Sequence, residues 1–306
     1  REGTVVEHQV SARRAVLGVG DDAALLRPDP GMELAVSTDL LLEGTHFFAA
    51  ADPRKLGHKA LAANLSDMAA MGATPRWATL ALSLPAADEA WIGAFAAGLF
   101  ALADRYQVEL VGGDTTRGPR SICICIIGEV PAGQALRRAG ARPGDDVWVS
   151  GELGAAALAL ARPDIAEVQQ RLNEPEPRVA LGERLRGRAS AAIDISDGFA
   201  QDLGHILERS GFGAVVHYDL LPRSAVFSRL AQPALERKCV LAGGDDYELV
   251  FTAPQAARTA VAALASEIGL ALSRVGAIRP GAPELVVLDA QGGEIMVERG
   301  YDHFSA

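Results

Sequence analysis

Hydrophobic residues recur along this chain in short runs that end on glycine or on a carboxylate. Runs rich in Val, Ile and Leu predict strands at 5–10, 15–19, 32–38, 77–84, 108–111, 121–130, 147–150 and 191–195, with a closing hairpin from 285–288 and 294–297. Between them the apolar spacing changes to that of helices. Asp52-Pro53 is a helix start, a capping carboxylate followed by proline at the first helical position, and Gly72 is its stop. Within that span Leu56, Ala60, Ala63 and Ala70 form one apolar stripe, and Leu61, Leu65 and Met68 form a second. The helix is therefore expected to be buried on most sides, yet Asp67 falls on a stripe, with Asn64 one turn earlier. Further helices are expected at 87–106, with Asp88 and Glu89 at its dipole-favoured start, at 155–161, at 179–185, and from about 198 to 209 with Gly211 as stop.

The segment 131–146, rich in Gly, Pro and Arg, reads as a boundary between domains 1–135 and 136–306. Its cluster of Arg137, Arg138 and Arg142 is either a solvated linker or a clamp on phosphate. With 49% hydrophobic residues the 306-residue chain can bury a large core, and its net charge of −10 argues against nucleic acid or an anionic membrane as partner. An anionic ligand would need cations to reverse the local sign. The three cysteines lack the paired spacing of a zinc site. Cys123 and Cys125 share a strand face and read as small buried hydrophobes in a reducing cytoplasm. No apolar run is long enough for a membrane span.

Six segments place Asp at the end of an apolar run or beside glycine: LGVGDDAALL (Asp21, Asp22), STDLL (Asp39), NLSDMAAMGA (Asp67), VGGDTTRG (Asp114), IDISDG (Asp194, Asp197) and AGGDDYELVF (Asp245, Asp246). Carboxylates beside apolar segments are costly unless paired or metal-bound. With Ser37 and Thr38 beside Asp39 they supply the hard oxygen donors that suit Mg²⁺, and glycines such as Gly112 and Gly113 allow backbone to approach a phosphate. GVGDDA also fits a dinucleotide fingerprint, but that motif needs a helix directly after its glycines. Here Pro28, Pro30 and Gly31 leave no room. GDD also occurs in nucleic-acid polymerases, which the net charge disfavours. Ser196 or Asp197 is expected to cap the helix that follows; Asp194, still inside its strand, has no such structural role. His46 is either a structural donor or a ligand contact, and Tyr301, His303 and Phe304 read as a packed terminus. No P-loop and no protein-kinase motif is present.

Taken together, GVGDDAALL, STDLLLEGTHF, KALAANLSDMAAMGATP, GGDTTRGP, IDISDG and GGDDYELVF resemble the thiamine-monophosphate kinase family, in the superfamily of aminoimidazole ribonucleotide synthetase and selenophosphate synthetase. The resemblance spans 18–304. It implies an α/β (α+β) two-domain synthetase-like fold: an N-terminal mixed sheet with helices on one face, and a C-terminal α/β sandwich domain. The first domain would bind ATP and Mg²⁺ and form a homodimer through its sheet; the second would complete the active site. The implied reaction takes thiamine phosphate and ATP to thiamine diphosphate and ADP with several Mg²⁺ ions. The implied metal ligands are Asp22, Ser37, Thr38, Asp39, Asp67, Asp114, Asp194 and Asp197. Tyr106, Gly113, Asp114, Arg138 and Ser196 correspond to ATP contacts, and His46, Asp245 and Phe304 to substrate contacts. Asp245 departs from the family, which often carries Glu there. A phosphate monoester is mostly dianionic near neutral pH, so direct in-line transfer without a general base is expected. The competing readings are an amide- or selenium-activating synthetase of the same superfamily and a non-catalytic nucleotide sensor. No reactive cysteine is seen near the start, as selenophosphate synthetase usually has.

Overall fold

The computed structural model describes residues 14–297 and residue 300. The strand expected at 5–10 and the tail residues Tyr301, His303 and Phe304 lie outside the described residues. Two compact units divide the chain, one of residues 1–65 and 74–133, the other of residues 66–73 and 134–306.

In the first unit, β1 (Met32–Leu42), β2 (Thr74–Leu84), β3 (Glu109–Arg117) and β4 (Ser121–Pro131) form a sheet in the order β1-β4-β2-β3. β4 is antiparallel to both neighbours, and β2 and β3 run parallel, so the sheet is mixed. Helices α1 (Pro53–Ala70) and α2 (Glu89–Tyr106) contribute Leu61, Leu99 and Ala103 to a small apolar space that they share with Ala78, Leu80 and Ile124 of the sheet. α1 starts as its sequence dictates: Asp52 Oδ1 accepts the Arg54 N–H at 2.8 Å. α2 is capped by Asp88, whose carboxylate accepts from Ala90 and Trp91. The two helices approach so closely that a Cβ on Gly98 would lie 1.8 Å from the Arg54 carbonyl oxygen.

The pleat sorts β4 into two faces. Ile122, Ile124 and Ile126 are fully buried, while Cys123 and Cys125 turn the other way and are only half-buried. The latter two are thus not the buried hydrophobes expected; Cys239 is. The outward row of β1 is apolar and open: Leu34, Val36, Leu40 and Leu42 are all exposed, Val36 by 62%.

Three sequence expectations need correcting in this unit. Residues 15–19 form no strand, only isolated bridges between Leu17 and Leu25 and between Val19 and Asp21. β1 does not stop at Thr38 but runs through Ser37, Thr38 and Asp39 to Leu42. β3 likewise continues through Gly112 and Gly113 to Arg117.

The second unit is built on a mixed six-stranded sheet. Its strands are β5 (Asp146–Ser150), β6 (Ala191–Asp194), β7 (Gly213–His217), β8 (Leu249–Ala253), β9 (Leu272–Arg279) and β10 (Leu285–Leu288), ordered β10-β7-β9-β5-β8-β6. Helices α3 (Ala155–Ala161), α4 (Ala166–Asn173), α5 (Val179–Leu185), α6 (Phe199–Ser210), α7 (Val226–Leu230), α8 (Pro233–Ala242) and α9 (Arg258–Ile268) accompany it. Val147 and Val149 of β5, Ile193 of β6 and Val250 of β8 pack with Phe199, Leu203 and Ile206 of α6 in a common core. The expected final hairpin reduces to a bridge between Leu288 and Glu294, with the Ile295 N–H donating to Val287. β10 pairs instead with β7, in parallel.

Candidate functional site

The first unit presents its candidate residues on separate elements. Asp22 is exposed in the 17–25 loop, where its N–H donates to the Asp21 carboxylate. Asp39 sits half-buried on β1 opposite Ile124, and Asp114 sits exposed on β3 opposite Ala81. These two strands are the opposite edges of the sheet, so the carboxylates stand about 14 Å apart, three strand spacings. They do not share one ion within this sheet. Strand alternation also puts the Thr38 side chain on the face opposite Ser37 and Asp39. On the face of Ser37 and Asp39, Thr38 therefore offers its backbone rather than its hydroxyl.

Gly113 is needed for a different reason from the one the sequence suggested. A Cβ there would lie 1.9 Å from the Leu80 carbonyl oxygen of the parallel neighbour β2, so the glycine admits a strand, whatever else approaches it. A register shift opposite Ala78 and Thr79 bulges Val111 out of the pairing and sets the direction of Asp114. Tyr106 closes α2, with the Arg105 guanidinium 4.9 Å from its ring centre and donating to its hydroxyl. His46 lies in the loop after β1. Its Nδ1 accepts the Leu42 N–H at 3.0 Å, so the neutral ring carries its proton on Nε2.

The second unit gathers its candidates tightly. Asp194, the last residue of β6, is buried and accepts from the buried Ser66 hydroxyl at 2.7 Å. Burial first, then the charge of Asp67, raise the Asp194 carboxyl to about 7, against the opposing pull of Ser66 and Arg138. Asp67 and Asp194 are therefore near neighbours. Arg137 and Arg138 are exposed, but their backbone is docked: the Arg137 carbonyl accepts the Ala192 N–H beside β6, and the Arg138 carbonyl accepts from Ser210. This segment is no free linker.

The turn between β6 and α6 is held differently from expectation. Neither Ser196 nor Asp197 caps α6; Gly198 occupies the cap position without a side-chain bond. One carboxylate oxygen of Asp202, a turn inside the helix, accepts the N–H groups of Ser196, Asp197 and Gly198 at 3.0, 3.1 and 3.1 Å. Burial, with Asp194 and Asp197 nearby, nonetheless lifts the Asp202 carboxyl to about 8. Sequence reading passed over Asp202, because a helical Asp looks like a solvated residue. Its position on the same face as Phe199, Leu203 and Ile206 was the available signal.

The loop 243–248 rests on this turn. The Asp245 N–H donates to Ser196 at 2.9 Å, the Tyr247 N–H to Ile195 at 2.8 Å, and the Ile195 N–H to Glu248 at 2.8 Å. Asp245 and Tyr247 both have positive φ, at 65° and 51°, a conformation that costs a non-glycine residue roughly 1 kcal/mol or more. The Tyr247 hydroxyl donates to Asp245 Oδ1. The loop's other two side chains anchor it. Asp246 accepts the Gly154 N–H at the start of α3. Glu248, fully buried, is met by Ser150 at 2.6 Å, Arg171 at 2.7 Å and both nitrogens of the Arg178 fork. This ion cluster was also missed in sequence, since its members are spread from 150 to 248. Phe304 lies outside the described residues.

Among the described residues, no three His, Cys, Asp or Glu side chains are close enough together to hold a metal ion. The donor chemistry still fits a divalent cation. Asp67 and Asp194 are hard carboxylates forced together, and their mutual repulsion is what a bound cation relieves. One turn before Asp67 on α1, the Asn64 side-chain oxygen is buried with no hydrogen-bond partner.

The chain matches two family models, AIR synthase related protein N-terminal domain over residues 20–130 and C-terminal domain over 142–287. It is 45% identical over 299 residues to thiamine-monophosphate kinase of Salmonella typhimurium, covering 94% of this chain and 92% of that one. A solved thiamine-monophosphate kinase from Stenotrophomonas maltophilia superposes with a TM-score of 0.86 at 48% identity, covering 90% and 92% of the two chains. A second solved structure, AaThiL complexed with AMPPCP and TMP, has a TM-score of 0.77 at 28% identity and covers 91% and 89%. Hydrogenase maturation protein HypE shares the fold, at 22% identity and a TM-score of 0.79. On sequence and fold together, the chain belongs to the thiamine-monophosphate kinase family of AIR synthase related proteins.

Proposed function

We infer that this protein phosphorylates thiamine monophosphate with ATP, giving thiamine diphosphate and ADP. The observation that carries the reading is identity of 45% along 94% of the chain with a thiamine-monophosphate kinase. A solved relative complexed with AMPPCP and TMP supports the same substrate pair. The synthetase alternative has the broader AIR synthase related domain models behind it, but no relative named as a synthetase stands beside the 45% identical kinase.

The chemistry follows from charge. Thiamine phosphate offers a phosphate monoester oxygen that is already anionic at neutral pH. It attacks the γ-phosphorus of ATP in line, the bond to the β-bridging oxygen breaks, and ADP leaves. No proton must be removed first, so no side chain serves as general base and no phosphoenzyme forms. The difficulty is repulsion between two anionic groups. Asp67 and Asp194 would hold Mg²⁺, with Asp22, Ser37, Thr38, Asp39, Asp114 and Asp197 as further donors, Thr38 through its backbone. Bound there, Mg²⁺ neutralises phosphate charge. Ser196, Gly113, Tyr106 and Arg138 would contact ATP. His46 would offer Nε2–H to the thiamine phosphate, and Asp245 and Phe304 would complete that subsite. In this reading the first unit binds ATP and Mg²⁺ and the second completes the site. The open apolar row of β1 supports a homodimer formed through the first-unit sheet. No helix among the described residues is long and apolar enough to cross a membrane, and the substrates suit the cytoplasm.

Incubation with ATP, Mg²⁺ and thiamine phosphate should yield thiamine diphosphate and ADP in equal amounts. With radiolabelled γ-phosphate, a quench during the first turnover should leave no label on the protein. Binding of both ligands without product would overturn the reading.

A further inference from the structure

We propose that Arg120 is a positioning residue for His46, and so sets affinity for the phosphate-bearing acceptor; the proposal rests on the reading of His46 given above. The loop after β1 is short and closes on itself. The His46 N–H donates to Leu42 at 2.9 Å, the Thr45 N–H donates to the same carbonyl at 3.2 Å, and the Gly44 N–H reaches Phe47 at 2.8 Å. These bonds fix the loop's shape without fixing its place on the unit. Arg120, the residue before β4, supplies that attachment. Its Nη1 makes an ion pair with Glu43 and reaches the Ala49 carbonyl at 3.5 Å, so one guanidinium grips the loop on both sides of His46. Its backbone carbonyl accepts the Glu43 N–H at 3.2 Å.

The guanidinium has its own mount. It lies 5.1 Å from the Trp91 ring centre, and Trp91 stacks on Phe95 at 5.2 Å within α2. A cation over an indole face gains from the ring quadrupole, and more so when partly desolvated. Arg120 is only 19% exposed, and its Nε is buried with no hydrogen-bond partner. A buried N–H left unpaired is costly, so the side chain is held in place for the contacts its other end makes. Trp91 and Phe95 thus form a platform, Arg120 an arm, and the His46 loop the load. Lysine keeps the charge but loses the planar fork that stacks and grips at once.

The test is a double-mutant cycle on thiamine phosphate binding, measured by calorimetry in the full chain without ATP. Arg120→Met and His46→Ala should each raise Kd about tenfold, and the double variant should be no weaker than His46→Ala alone. Arg120→Lys should recover only part of the loss. The KM for ATP should change by less than about twofold in Arg120→Met, which general damage to the unit would not spare. Multiplying effects in the double variant would overturn the proposal, as would a parallel rise in the KM for ATP. An unchanged Kd in His46→Ala would also overturn it, while leaving the kinase reading intact if product still forms. Tight thiamine phosphate binding without product would reject the kinase reading, and the binding cycle would still decide the role of Arg120.

Discussion

Asp246→Asn should remove a defined part of this protein's pH-dependent stability. Asp246 is buried; Oδ2 accepts the Gly154 N–H at 2.8 Å, and Oδ1 has no hydrogen-bond partner. Burial is the main cause that lifts its carboxyl to about 8 from an ordinary 3.8, with Glu248 adding to the effect. Between those values the unfolded chain has lost the proton and the folded chain keeps it. The unfolded state then binds one proton fewer, so stability falls as pH rises through this window and levels off above it. At about 1.4 kcal/mol per pH unit the full window amounts to about 5–6 kcal/mol. Relaxation and water penetration around a buried carboxyl reduce that penalty, and about half of it, about 2–3 kcal/mol, is the magnitude to look for. Asparagine keeps the acceptor for Gly154 and cannot ionise. Urea unfolding at about pH 5 should therefore find parent and variant within about 1 kcal/mol of each other, and at about pH 8 the variant more stable by about 2–3 kcal/mol. Asp194 and Asp202 add to the slope of both proteins alike, so the difference isolates Asp246. Parallel curves, or a variant weaker at high pH, would refute the buried-acid account of this loop.

Asp67→Asn should abolish thiamine diphosphate formation while leaving urea stability within about 1 kcal/mol, because it removes the charge pressing on Asp194 and not a packing group; retained turnover counts against the metal role. Asp202→Ala should strand three N–H groups, that of Gly198 buried and those of Ser196 and Asp197 half-buried, and cost about 2–4 kcal/mol, with Asp202→Asn recovering most of it, both measured by chemical denaturation. Val36→Glu should place a charge in the open row of β1 and shift sedimentation towards monomer, with each unit still folded by circular dichroism.

Where local chemistry decides the structure, the sequence was readable. Asp52-Pro53 opens α1, and α3 and α5 occupy 155–161 and 179–185, as their apolar spacing indicates. The mixed α/β architecture and the family were likewise legible, the latter because six motifs stand in a fixed order. Partners distant in the chain were not legible. Ser37-Thr38-Asp39 looks like a strand end, yet pairing with β4 carries β1 through it. Gly112-Gly113 looks like a phosphate loop, yet β2 lies against it. Ser196 and Asp197 are well placed as caps, but Asp202 outcompetes them by satisfying three donors with one oxygen. The clamp on Glu248 joins β5, α4 and the start of α5 to a loop from α8, and no window of sequence contains it. Helix α4 was missed because its apolar positions, Val168 and Leu172 among them, are few and are completed by neighbours.

The two-sided character of β1 restricts how its gene segment can vary in length. Ala35 and Leu41 point to the core while Leu34, Val36 and Leu40 point away, so deleting or inserting one codon ahead of Asp39 would exchange the two sets and send that carboxylate to the wrong side. Changes of two codons preserve the alternation. Length variants of this strand that still fold should therefore differ by even numbers of residues.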